Sequence, residues 1–350
     1  MQSMTANVNL VGGRRGGGTR SSSSFAPSAS SFGASLLAFC LLSALLVSWQ
    51  PLWLSIATVF VFAGPHNWME FRYFLARMPA RWGRSKTFFT VGLGGVLFFS
   101  VAYALLYWLG QSWYLDAAAW TAGISLWNTG LLLWVAALVW LRGRQRAARR
   151  DWSWAFAVGF ALAGVAWAAP VWFSLALVYL HPLVALWFLD RQLKRTRPEW
   201  RKTYHACLAA LPLVLLAMWA RLASAPGLAE TDALAWRITQ HAGAGILTGV
   251  SSHLLVATHV FLETIHYGVW LVLIPLAGLR AGVFETGSIP LAAHREGWPR
   301  AVKAALALGL LAVLALWLCF WADYATTRDV YFTLAMGHVL AEVPFLIRLL

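Results

Sequence analysis

Ten runs of about 20 apolar residues divide this chain, and they constrain the fold more than any other feature. A helix needs about 20 such residues to cross the hydrocarbon of a bilayer. The runs cover 32–49, 53–75, 87–109, 120–141, 152–168, 170–189, 204–222, 250–279, 302–322 and 329–348. They predict an all-α, polytopic integral membrane bundle of about ten transmembrane helices. Only 11% of the residues are charged, against about 25% in soluble domains. That excludes a soluble enzyme, a disordered protein and a nucleic-acid-binding domain, in spite of the net charge of +14.

The positive charge instead orients the chain. Basic residues collect in every second loop: Arg77, Arg81, Arg84 and Lys86, then five Arg between 142 and 150. The series continues with Arg191, Lys194, Arg195, Arg197, Arg201 and Lys202, and then Arg280, Arg295, Arg300 and Lys303. The intervening loops are neutral or acidic. Cytoplasmic loops are the basic ones, so both termini are expected in the cytoplasm, in a bacterial inner membrane. The alternation also requires 250–279 to be one long helix, with 228–249 outside or at the outer interface. Residues 1–31 are rich in Gly and Ser without an apolar period, and read as a disordered tail. Residues 32–350 read as a single transmembrane domain. The first run lacks a cleavage site and reads as a retained helix. Twenty-two Trp fit interfacial anchoring. Cys40, Cys207 and Cys319 sit in apolar runs without CxxC spacing and read as small core residues.

Ionisable residues inside a membrane are costly and mark function. Three spans carry His-x-x-x-Glu: His66/Glu70, His259/Glu263 and His338/Glu342. His266 adds a Glu-x-x-His to the second. Nine His and seven Glu placed at random would give about 0.2 pairs at this helical spacing, so chance does not explain three. Under the expected topology all of them, with His181 of the sixth span, lie in the middle or inner half of the bilayer. The second, eighth and tenth spans are expected to be mutual neighbours, with the sixth close by.

Imidazole with carboxylate and no thiolate suits Fe, Mn or Zn. Helical carboxylate proteins hold two irons with Glu and Glu-x-x-His side chains in a bundle core. The expected ligands are His66, Glu70, His181, His259, Glu263, His266, His338 and Glu342. Glu263, flanked by two in-register imidazoles, is expected to be the central one. His253, Asn128, Asn67 and Tyr267 are expected around them. His205, His241 and His294 read as structural or solvated. The bland alternative makes each His/Glu pair an intrahelical hydrogen bond without metal. The Arg72/Tyr73 and Arg77–Arg84 region reads as an interfacial turn, or as a mouth for an anionic headgroup or an electron donor.

The function expected is a membrane-embedded non-haem oxidoreductase or oxygenase holding one or two iron ions. Its substrate would be lipid-soluble: an acyl chain, an isoprenoid or carotenoid, a sterol-like ring, a quinone or a tetrapyrrole. O2 and an electron donor at the cytoplasmic face would be its further partners. The chain has neither the HxxxH nor the HxxHH boxes of membrane desaturases and hydroxylases. Two alternatives stay open. A haem b electron carrier would use pairs among the same His, leaving the Glu at each fourth position unexplained. A proton- or metal-coupled transporter would use the Glu/His groups as a relay, but no repeat is visible.

Overall fold

Each apolar run becomes a helix in the computed structural model, which describes residues 27–112, 115–146, 150–278, 285–295 and 297–350. In chain order these are α1 (Ala29–Trp49), α2 (Pro51–Arg77), α3 (Lys86–Gln111), α4 (Ala117–Gln145), α5 (Trp154–Ala168), α6 (Pro170–Thr196) and α7 (Arg201–Leu222). A short α8 (Ala233–His241) follows. Then α9 (Ser252–Gly268) runs through a π-helical turn, Val269–Leu273, into α10 (Ile274–Gly278). The chain ends with α11 (Pro290–Ala293), α12 (Pro299–Ala322) and α13 (Tyr324–Leu349). No strand occurs among the described residues. Residues 1–26, most of the expected tail, lie outside the described residues, and α1 already begins at Ala29 behind the Ser28 cap. Several helices outlast their apolar runs, as α2, α4 and α6 do, because Arg, Lys and Gln end hydrophobicity without ending a helix.

Eight helices are long and apolar enough to cross a membrane, so the chain is a multi-pass membrane protein. Of the ten expected spans, α2 and α5 fall short: α5 has 15 residues, and His66, Asn67, Glu70 and Arg72 make α2 more polar. Large apolar side chains face outward, among them Leu97 and Phe98 on α3 and Leu308 and Leu318 on α12. Such a surface belongs against lipid.

The tryptophans divide into two uses. Trp53, Trp298 and Trp321 are exposed near helix ends, as interfacial anchors are. Others are buried and join helices: Trp68 Nε1 donates to Leu306 O at 2.9 Å, Trp127 Nε1 to Phe99 O at 3.0 Å, and Trp134 Nε1 to Val91 O at 2.9 Å. Where apolar helices meet no water, such hydrogen bonds help hold them together.

Four helices close a ring. Both α2 and α6 pack against α9 and against α13. Side chains of all four meet in the ring's interior, His66 of α2, His266 of α9 and His338 of α13 among them, as the expected neighbourhood of these spans requires. At one face of the bundle Arg142 Nη2 donates to Arg348 O at 2.9 Å, and Arg348 Nη1 donates to Arg77 O at 2.6 Å. Arg77 Nη2 in turn donates to Gln192 Oε1. The ends of α2, α4, α6 and α13 therefore meet on one basic face. At the opposite end single residues, Gln50, Ala169 and Asp323, join successive helices. Pro51 and Pro170 start the next helix there, where a missing N–H costs nothing. Asp323 caps α13 by accepting from Thr326 N at 3.1 Å.

Candidate metal centre

The ring's interior is lined by a face of α2 that carries His66 and Glu70. His66 and Glu70 lie four residues apart and so share that face. They are 2% and 1% exposed. His66 Nδ1 lies 3.0 Å from Phe62 O, and His266 Nδ1 lies 3.3 Å from Pro182 O. A carbonyl only accepts, so each Nδ1 carries the proton and each Nε2 keeps its lone pair for another partner. His266 Nε2 has none among the described groups.

Two sets of ligand atoms converge. One atom each from His66, Glu70, His266 and His338 lie within 4.8 Å of one another, and so do those from His181, His266 and Glu342. His266 belongs to both sets. The four imidazoles follow the helix ring, with centroids 5.2 Å apart for His66–His338, 5.4 Å for His66–His266, 4.9 Å for His181–His266 and 5.6 Å for His181–His338. His181 Nδ1 is 3.2 Å from Glu342 Oε2. Ligands on opposite sides of a shared ion stand about 4.0–4.4 Å apart, so the donor atoms need only small rotations to meet one. Both oxygens of Glu70 and Oε1 of Glu342 are buried without a hydrogen-bond partner. That departs from the usual satisfaction of buried polar atoms, and it suits a group of side chains able to hold a cation.

Two of the eight expected ligands lie elsewhere. His259 and Glu263 are 3.6 Å from each other and belong to neither set. The reason is length along the axis: seven residues separate His259 from His266, about 10.5 Å at the helical rise. One ion does not span that, so a stripe of three residues serves two places. His259 instead meets His241, with centroids 5.0 Å apart, and Tyr179, 5.7 Å away. His241, read as structural or solvated, reaches inward because α8 folds back beside α9. Arg328 and Tyr324 are further neighbours of Glu263. Arg328 is buried and stacks on Phe332 at 4.6 Å.

Of the four surrounding residues, Tyr267 packs on the site, its ring 4.6 Å from that of His66. Asn67 points away, donating to Tyr331 OH at 3.3 Å. His253 Nε2 bonds Ser48 O at 3.0 Å and ties α9 to α1. Asn128 is buried on α4, outside both sets.

Electrostatically the centre is unbalanced by itself. Glu70 and Glu342 are close enough to interact, and neither has a cationic Lys or Arg partner among the described contacts. Two carboxylates in a low-dielectric interior need a proton or a cation. No protein-family model, curated protein or solved structure matches this chain.

Proposed function

We propose that this protein is a membrane-embedded non-haem metal oxidoreductase acting on a lipid-soluble substrate. Iron is held by His66, Glu70, His181, His266, His338 and Glu342. The observation that carries the reading is the set of unpaired, buried acceptor atoms, on Glu70, Glu342 and His266, in two converging ligand groups that share His266 inside a four-helix ring. Structural hydrogen bonding would have paired them.

A bound iron ion supplies redox chemistry that side chains lack. The residues supply the rest. Glu70 and Glu342 carry two negative charges, which offset one divalent ion in a medium that barely screens it. A second ion needs further anions, so the reading favours one. Phe62 O and Pro182 O fix the His66 and His266 tautomers. The surrounding apolar helices exclude water and admit a substrate dissolved in lipid. Haem fits less well, because a porphyrin between two of these imidazoles would need the volume that the other two and both carboxylates occupy.

The basic face is the cytoplasmic one, α2 and α5 cross with the eight longer helices, and both termini are cytoplasmic. The membrane is a bacterial inner membrane, and an electron donor approaches at the basic face.

The test is metal content and the optical spectrum of detergent-purified protein, expressed with iron supplied and handled anaerobically. The expected result is about one iron per chain without a Soret band. Metal-free protein would defeat the reading, a Soret band would replace it with a haem carrier, and metal flux into proteoliposomes would replace it with a transporter.

A further inference from the structure

Below the metal centre, towards the basic face, the same inward stripes continue. On α2 the spacing 4, 3, 4 runs His66, Glu70, Tyr73, Arg77, and on α6 it runs His181, Ala185, Phe188, Gln192. In the π-helical turn that continues α9, Trp270 follows His266 by about one turn. Tyr73, Phe188 and Trp270 form an aromatic layer, with centroids 5.4 Å apart for Tyr73–Trp270 and Phe188–Trp270 and 5.8 Å for Tyr73–Phe188. Beside this layer opens a cavity of about 160 Å³, lined by Arg72, Tyr73, Arg77, Gln192, Trp270 and Ser288 among others.

We infer that this cavity is a binding site for an oxyanion, a carboxylate or phosphate group presented from the basic face. Three of the side chains that line it have hydrogen-bonding atoms without a partner: Tyr73 OH, Trp270 Nε1 and Arg77 Nη1. Trp270 is 0% exposed and Tyr73 is 8% exposed, so water does not readily serve them. An indole N–H and a guanidinium only donate, and the phenol can do so. Their common complement is a group that only accepts.

The charge agrees. Arg72 and Arg77 both line the cavity, and Arg195 lies close to Arg77 and Tyr73. Arg77 bonds the neutral amide oxygen of Gln192 and stacks on Tyr73 at 4.6 Å. Neither contact cancels its charge. Arg72 Nη2 donates to Glu285 O at 3.2 Å, which helps hold that guanidinium in place. Planar guanidinium donors suit carboxylate and phosphate oxygens.

Local structure favours a built site. Trp270 sits in the π-helical turn, a rare distortion that recurs at functional sites. Gly278 lets Gln192 approach, since a Cβ there would fall 2.1 Å from Gln192 Nε2. The volume equals about five waters at the liquid share of about 30 Å³ each. That is room for a carboxylate or phosphate with a few attached atoms, not for an acyl chain. The site stands on its own donors and goes beyond the metal reading without needing it.

The experiment is thermal unfolding of the full chain in an uncharged detergent and in nanodiscs. The probes are inorganic phosphate, acetate, sodium chloride at matched ionic strength, and phosphatidate against phosphatidylcholine. Wild type is compared with a Tyr73→Phe/Trp270→Phe double variant, which deletes one hydroxyl and replaces the indole while keeping aromatic packing. An Arg77→Gln variant is a second probe. The expected result is a midpoint raised by several degrees with an oxyanion and not with chloride, and a shift lost in both variants. A response to phosphate or acetate assigns a free anion, and a response to phosphatidate alone assigns a lipid headgroup. No shift in wild type, an equal shift with chloride or phosphatidylcholine, or an undiminished shift in both variants would overturn the inference. Metal content of the same preparations reports separately on the centre above, so the two ideas fail independently.

Discussion

Glu70 on α2 and Glu342 on α13 belong to two sets of converging ligand atoms joined by His266, and three of their four carboxylate oxygens have no hydrogen-bond partner. The fourth, Glu342 Oε2, rests on His181 Nδ1 at 3.2 Å. Two carboxylates so placed repel each other unless a proton or a cation intervenes. The substitution Glu70→Gln keeps the shape and removes one negative charge. Residues that only support metal ligands already change affinity about 10–100-fold, so losing this ligand should weaken metal binding by more than about 100-fold. The metal-free protein should unfold at the same temperature or higher, because a neutral amide is easier to bury. Metal titration and thermal unfolding of both proteins check the two halves. A site that is only structural would leave wild type metal-free and Glu70→Gln without effect on metal content.

Glu263 gives the opposite expectation. Its carboxylate is engaged with His259 at 3.6 Å and interacts with Arg328, and it belongs to neither set of converged donors. Glu263→Gln should leave metal stoichiometry unchanged while Glu70→Gln abolishes it. Equal loss in both variants would show that the two groups act as one centre.

The second group depends on a turn. Gly243 follows α8 with φ +93°. Gly243 N donates to Gln240 O at 2.9 Å and Ala244 N to Thr239 O at 3.0 Å, which closes the helix end in a Schellman arrangement. A side chain there is strained by about 1–2 kcal/mol, and a Cβ would meet Leu175 Cδ1 at 2.8 Å. Gly243→Ala should therefore lower stability by at least about 1–2 kcal/mol, read as a lower unfolding midpoint. Iron content should stay at the wild-type level, since α8 supplies none of the converged ligands. An unchanged midpoint would show that the turn bears no strain.

Much of the fold was legible because hydrophobic run length is a strong signal: every expected run is helical. The span count was less legible. The polar residues that make α2 interesting also lower its hydropathy, so the same fact strengthens the site and weakens the span. Within the site, helical spacing singled out His66, Glu70, His266, His338 and Glu342, and expected depth in the bilayer added His181. Periodicity gives direction around a helix but not depth between helices, which is why His259 and Glu263 were placed with them. His241 and Arg328 were missed because they lie at element edges, where charge and imidazole read as solvated. Trp270 and Gln192 were missed because apolar and amide residues carry no periodic charge signal; only the cavity between α2, α6, the π-helical turn and α10 draws them together.

The basic face makes a final expectation. Arg77, Arg142 and Arg348 bring the ends of α2, α4 and α13 together, and Gln192 joins α6 to them. Exposed Glu199, in the short link between α6 and α7, lies at this end, whereas exposed Asp232 lies between α7 and α9 at the other. If the bundle crosses the membrane with its basic loops inside, a cysteine at 199 should be silent to an impermeant thiol reagent in intact cells and react after lysis. A cysteine at 232 should react in both. Cys40 and Cys207 are buried, so only exposed Cys319 needs replacing by Ser to clear the background. The paired design matters because an unreactive position 199 alone would also follow from local shielding, which lysis would not relieve. Reaction at 199 and silence at 232 in intact cells would invert the orientation, and with it the compartment from which the cavity between Arg72 and Gln192 is filled.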